Sequence, residues 1–317
     1  MAKSIPEKPI KAMLMHLGFN MWYDHDHPDI PNIYRRAVWR PYLRCDTRLW
    51  RDLVKRMAKA AMNMVVIDLG EGVRYDSHPE LAVRGSWTPA RLKRELARLR
   101  KLGLEPIPKL NFSACHDAWL GDYGRMLSTD TYYGVCKDLI AEVIDMFDRP
   151  RLFHLGMDEE QYHDQSLYEY VRIRQFDLWW NDLYFLVDQV EAGGSRAWVW
   201  SDSLWHHPIA FVKKMPKSVL QSNWYYGSSF SRKQRAVRGY IDLERHKFEQ
   251  VPAPGNFLND VNIDRTVRFC ARNIHPKRLL GFLVVSWQPT LDEVRPVHLD
   301  AIEQGGQALA RWAPISR

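Results

Sequence analysis

Phe153-His154-Leu155-Gly156-Met157-Asp158-Glu159-Glu160 decides how this chain is read. A short apolar run follows a Pro-Arg turn and ends in three consecutive carboxylates. Its length suits a buried strand, and its acids stand where that strand would end.

Working outward, the same grammar repeats. Apolar runs suited to strands lie at 11–20, 63–69, 104–112, 196–201, 218–224 and 279–287, with a weak, Pro-rich run at 250–257. Between them lie segments with helical spacing and start signals. Asp46 caps a helix to about residue 61, Thr88-Pro89 opens one to 102, and Thr129-Asp130 opens one to about 147. Further helices are expected at 165–192, 208–215, 232–248, 264–274 and 296–312. Alternating apolar strands and helices specify a parallel sheet. Eight such units point to a closed α/β barrel, a (β/α)8 TIM barrel, as a single domain over 1–317. No GxGxxG follows the first run, against a dinucleotide fold. Residues 21–44 form a long loop rich in aromatics, His and Pro, read as a wall of the site.

Composition narrows the function. The chain has 317 residues, and its 13 Trp, 14 Tyr and 12 Phe often stand beside polar groups, as in Trp198-Val199-Trp200-Ser201-Asp202. A sugar pocket needs that pairing, since a ring face covers C–H groups while polar neighbours bond hydroxyls. The net charge of +7 is spread over expected helix faces. No basic stripe with a nucleic-acid module is present, so no nucleic-acid partner is expected. The four cysteines form no CxxC pair, and no cofactor or metal is expected. Residues 1–11 lack an apolar leader core, and no run of about 18 apolar residues is seen. A cytoplasmic protein without membrane contact is the expectation, although a secreted chain trimmed of its leader would read the same. Oligomeric state is left open.

In a barrel of this type the chemistry sits at the C-terminal strand ends. Those ends supply Asn20, Asp68, Asn111 with His116, Asp158 with Glu159, Asp202, Trp224 with Tyr225, and Trp287. Asp68 and Asn111 also suit a purely structural role, and His116 could be satisfied within its own loop. The Asp158-Glu159 pair is harder to explain without function, because burying charge is costly.

His154-x-Gly156-x-Asp158-Glu159 resembles the His/Asn-x-Gly-x-Asp-Glu signature of the family 20 glycoside hydrolases, the β-N-acetylhexosaminidases. The segment from Pro108 to His116 is similar to that family's third-strand element. Trp200-Ser201-Asp202, Trp224-Tyr225 and Val285-Ser286-Trp287 resemble its later aromatic elements. The departures are specific. The family's Arg at the end of the first strand is missing from His16-Leu17-Gly18-Phe19-Asn20. Pro289 stands where Trp-x-Glu would place the Glu, and Lys109 and Asn111 replace third-strand acids.

The resemblance implies a retaining, substrate-assisted hydrolase of terminal β-linked N-acetylhexosamine, in which the sugar's own acetamido oxygen attacks the anomeric carbon. It implies Glu159 as acid and then base, with Asp158 orienting the acetamido group. Tyr225 would bond the acetamido oxygen, and Trp200, Trp224 and Trp287 would enclose it. His116, Asn111 and Asp202 complete the expected carbohydrate-binding set, with Asp202 the candidate base should the reaction invert. Glu160 reads as structural. Two other classes stay open: a non-catalytic carbohydrate-binding barrel, and a metal-dependent sugar isomerase or lyase using Glu71, His116, Asp158 and Asp202.

Overall fold

The computed structural model describes residues 8–312. Seven strands pair in parallel: β1 (Ile10–His16), β2 (Met64–Asp68), β3 (Glu105–Lys109), β4 (Leu152–His154), β5 (Arg196–Trp200), β6 (Leu220–Ser222) and β7 (Gly281–Val284). Their order, β6-β5-β4-β3-β2-β1-β7, leaves one gap between β6 and β7. Residues 250–255 fill it through single bridges to both neighbours. The Val251 and Ala253 N–H groups donate to Gln221 and Asn223, each at 2.9 Å. Leu283 and Val285 donate to the Pro252 and Pro254 carbonyls at 3.0 and 2.9 Å. The two prolines have no N–H to return, so this stave is bridged without forming a regular strand. The ring is closed, as an eight-unit barrel requires.

Strand alternation sorts the core into two layers. One set of side chains, drawn from every stave, packs inside the ring: Ala12, Met64, Ile107, Leu152, Trp198 and Leu283 are among them. The next residues along, such as Met13 and Val65, face outward to the helices. Strands buried on both faces therefore read as continuous apolar runs.

The helices are α1 (Thr47–Lys59), α2 (Pro89–Lys101), α3 (Asp122–Arg125), α4 (Asp130–Met146), α5 (Asp177–Ala192), α6 (Ser203–His206), α7 (Pro208–Lys214), α8 (Arg235–Arg245), α9 (Asn262–Asn273) and α10 (Arg295–Arg311). The expected caps form: Asp46 accepts from the Arg48 and Leu49 amides, Thr88 from Arg91, and Thr129 from Tyr132. None of the helices of the described residues is long and apolar enough to cross a membrane.

One expected helix is shorter than its spacing suggests. The segment expected at 165–192 becomes a 3-10 turn (Tyr162–Gln165), an irregular stretch, and then α5. The irregular stretch serves the loops above the barrel. Its Tyr168 hydroxyl donates to the Met21 carbonyl at 2.8 Å, and Arg172 reaches the Asp117 carboxylate at 2.9 Å. Phe176, with φ of +53°, then re-aims the chain into α5.

Candidate active site

The motif at the end of β4 turns through left-handed backbone. Gly156, Met157 and Glu159 have φ of +76°, +69° and +54°. This turn breaks strand alternation and brings Asp158 and Glu159 to the same cleft. Gly156 is required twice over, since a Cβ there would lie 1.8 Å from Asn111 Oδ1. The two non-glycine residues cost roughly 1–3 kcal/mol each, so neighbours must hold them. The Glu159 N–H donates to Asp202 Oδ2 at 2.8 Å, and the Trp200 N–H donates to the Gly156 carbonyl at 3.0 Å. The Ser113 hydroxyl donates to the Asp158 carbonyl.

His116 lies against both acids. Its Nε2 stands 3.2 Å from Asp158 Oδ2 and 3.2 Å from Glu159 Oε2. Asn111 Nδ2 donates to the other Asp158 oxygen at 3.1 Å. Burial opposes charge on both His116 and Asp158, but their mutual attraction prevails. It lifts the imidazole well above its usual range and holds Asp158 below the ordinary carboxylate range. The resting pair is an ion pair. Asp202 differs: burial, reinforced by the Asp158 charge, pushes its carboxyl well up, and its Oδ1 has no hydrogen-bond partner. Its other oxygen, Oδ2, accepts the Glu159 amide.

Beneath the cleft, Lys109 is fully buried and paired with Asp68. Glu160 is also structural, accepting Arg174 Nε at 3.0 Å and the Ala114 N–H at 3.1 Å. Asn20 ties down the 21–44 loop, since its Oδ1 accepts from Arg44 Nη2 at 2.6 Å.

The cleft has a volume of about 390 Å³, within the roughly 300–1,000 Å³ of small-molecule sites. Of the residues expected from sequence, Asp158, Glu159, His116, Trp224 and Trp287 line it. Four others do not. Asn111 lies behind Asp158. Trp200 is 1% exposed and packs beneath Trp287, ring centroids 5.7 Å apart. Asp202 borders a separate cavity with Met157 and Trp180. Tyr225 points outward, its hydroxyl donating to the Ser229 carbonyl at 2.9 Å and its ring edge-on to Phe230. The correction at Tyr225 follows from strand alternation: Trp224 and Tyr226 share the inner face, stacked at 5.4 Å, and Tyr225 takes the other. Tyr226 lines the cleft, and its buried hydroxyl lacks a hydrogen-bond partner.

The long loop contributes Trp22, Tyr23 and Tyr34 to the wall, as its composition suggested. Sequence reading missed Asp164 and Phe257, which also line the cleft. Asp164 follows Glu159 by five residues. Burial and the Glu159 charge push its carboxyl up to about 6.

The metal set considered from sequence does not converge. Glu71 is spent on the Phe19 and Asn20 amides, at 2.8 and 3.1 Å. Among the described residues, Cys115, His116 and Glu159 are the group whose ligand atoms approach within 4.8 Å. Burial pushes the Cys115 thiol far up, which disfavours the thiolate a metal would take.

Fold and site together define an eight-staved α/β barrel with an acid-bearing, aromatic-walled cleft at its C-terminal strand ends. The same barrel occurs in solved family 20 hexosaminidases. The chitobiase of Flavobacterium johnsoniae matches at 18% identity and TM-score 0.58, over 80% of this chain and 45% of that one. The exo-β-N-acetylglucosaminidase of Vibrio harveyi, solved with N-acetylglucosamine, matches at 13% and 0.62, over 94% and 54%. The β-N-acetylhexosaminidase of Bacteroides fragilis matches at 15% and 0.62, over 92% and 65%. This chain thus spans about half to two-thirds of their length, and the likeness is one of fold. No family model matches the sequence, and no curated protein does.

Proposed function

We propose that the chain is a glycoside hydrolase that removes a terminal β-linked N-acetylhexosamine with retention, using the substrate's acetamido group as nucleophile. One observation carries this reading: Asp158 and the adjacent Glu159 share His116 in an aromatic cleft at the end of β4. The barrel's likeness to hexosaminidases supports it.

Each group has a task. Glu159 protonates the leaving oxygen and then takes a proton from water. Asp158 accepts the acetamido N–H and stabilises the positive charge that develops as the acetamido oxygen attacks. Each Asp158 oxygen already has one partner and keeps a second acceptor site. His116 holds the two carboxylates in register. Tyr226, replacing Tyr225 in this role, offers its unpaired hydroxyl to the acetamido oxygen. Trp224 and Trp287 cover the sugar faces.

The cleft's three carboxylates among the described residues, Asp158, Glu159 and Asp164, all come from one short segment, and among those residues no late strand adds an acid to its lining. That arrangement favours the substrate as nucleophile. A thiazoline mimic of the bicyclic intermediate is the test. Potent competitive inhibition and a β-configured first product are expected, whereas an inert mimic with an α-configured product would remove the assisted route. Asp202 cannot then serve as base, since it faces the other cavity, and Asp164 becomes the candidate.

A further inference from the structure

We infer that the cavity behind the Glu159 turn is a second carbohydrate site, one that takes an uncharged sugar ring. The inference concerns binding and stands whether or not the cleft hydrolyses.

The cavity has its own walls. Its volume is about 430 Å³, which suits a small molecule. Among the described residues it shares no lining residue with the cleft. The turn after Glu159 divides the two: Gln161 and Tyr162 line the cavity, whereas His163 and Asp164 line the cleft. Met157 and Asp202, on either side of the Glu159 turn, border the cavity as well.

One buried polar atom there is unanswered. Asp202 is 3% exposed. Its Oδ2 is taken by the Glu159 N–H, while its Oδ1 has no hydrogen-bond partner. Folded proteins leave few such atoms, and a ligand hydroxyl is a group that answers one. Burial, reinforced by the Asp158 charge, favours the uncharged carboxyl, which both donates and accepts as a sugar hydroxyl does.

The rest of the lining sets the ligand class. Its other formal charges are answered within the protein. Arg174 meets Glu160 through Nε at 3.0 Å and Asp182 through Nη1 at 3.1 Å, and Lys214 pairs with Asp177. A charged ligand would be desolvated there without a free acidic or basic partner. What remains is aromatic and hydrogen-bonding. Trp179 and Trp180 stand edge to face, ring centroids 4.7 Å apart, and Tyr162 and Phe176 are 66% and 86% exposed. Gln175, Ser203 and His207 add polar groups. Ring faces that cover C–H groups, beside groups that bond hydroxyls, suit a sugar. A purely apolar ligand would leave Asp202 Oδ1 unanswered.

Isothermal titration calorimetry with the methyl β-glycosides of glucose, galactose and mannose is the test. At least one should bind wild type with a Kd of about 1–10 mM, the strength of one small ring in an open site. A210W fills the cavity and should weaken that binding about tenfold or more. Y162A combined with F176A strips two exposed rings from the lining and should weaken it about threefold or more. The uronic acid form of the bound glycoside should bind about tenfold more weakly than its neutral parent. No binding of any of the three up to ~100 mM overturns the inference. Unchanged binding in either variant, once folded, also overturns it, since the sugar would then sit in the cleft or elsewhere. Equal or tighter binding of the uronic acid form overturns the uncharged class. If A210W fails to fold, the exposed pair decides alone.

Discussion

The backbone N–H of Glu159 donates to the Asp202 carboxyl across 2.8 Å, and that bond fixes the φ of +54° at the proposed acid. Burial and the Asp158 charge favour the uncharged form of Asp202, so its amide isostere should lose little. D202N should retain most of its activity and unfold close to wild type. D202A leaves the part-buried Glu159 N–H unanswered and should lose about 1 kcal/mol of stability. It should also lose on the order of 10- to 100-fold in kcat/KM by misplacing Glu159. Urea unfolding and nitrophenyl glycoside kinetics on both variants check this.

The His116–Asp158 pair has a pH signature. A raised imidazole contributes stability that is complete below its unfolded value of 6.5 and is lost as pH rises through its folded value. A depressed carboxylate contributes above its unfolded value of 3.8, losing it as pH falls through its folded value. H116Q should therefore cost most between about pH 4 and 6.5, on the order of 3 kcal/mol for a broken buried pair. The cost should shrink on both sides. Unfolding free energies of both proteins across pH give the answer, and a flat difference would refute the ion pair.

Tyr225 and Tyr226 should separate cleanly. Y226F removes the unpaired hydroxyl from the cleft and should lower kcat/KM roughly tenfold or more, the size of one well-placed hydrogen bond. Y225F loses only a contact to the Ser229 carbonyl and should stay within about twofold, since surface changes are usually small. The opposite ranking would restore Tyr225 as the ligand.

G156A should fail to fold or lose more than about 3 kcal/mol, because a Cβ must displace the Asn111 amide while the backbone stays left-handed. G134A, in α4 with open space around its Cβ, should instead gain about 0.5–1 kcal/mol from helix propensity. Thermal unfolding of the pair makes the contrast.

The barrel was legible because both its layers are apolar, so each stave reads as a run that a helix cannot imitate at that length. The Asp158-Glu159 pair was legible because charge at a strand end is costly. What stayed hidden depends on which way single side chains face. Tyr225 and Tyr226 differ by one step of strand alternation, and the sequence carries no mark of where that strand's register begins. Trp200 and Asp202 sit at the right strand end but one layer back, behind Trp287 and Glu159. The helical spacing of 166–176 was genuine, yet Tyr168, Arg172 and Arg174 are recruited by distant loops, a tertiary demand that local pattern does not reveal. Asp164 looked like one acid among many until the turn placed it beside Glu159.

The prolines of the seventh stave give the ring a seam. Pro252 and Pro254 accept from β7 and donate nothing back, so this join has fewer bonds than the five-residue ladders of β1 with β2 and β2 with β3. Sub-global opening should start there, and amide hydrogens of 250–255 and 281–285 should exchange with solvent before those of β2. In an eight-membered ring that seam lies across from β4. β4 itself is held by one register pair to β3 and three to β5, so the strand that presents Asp158 and Glu159 leans on β5.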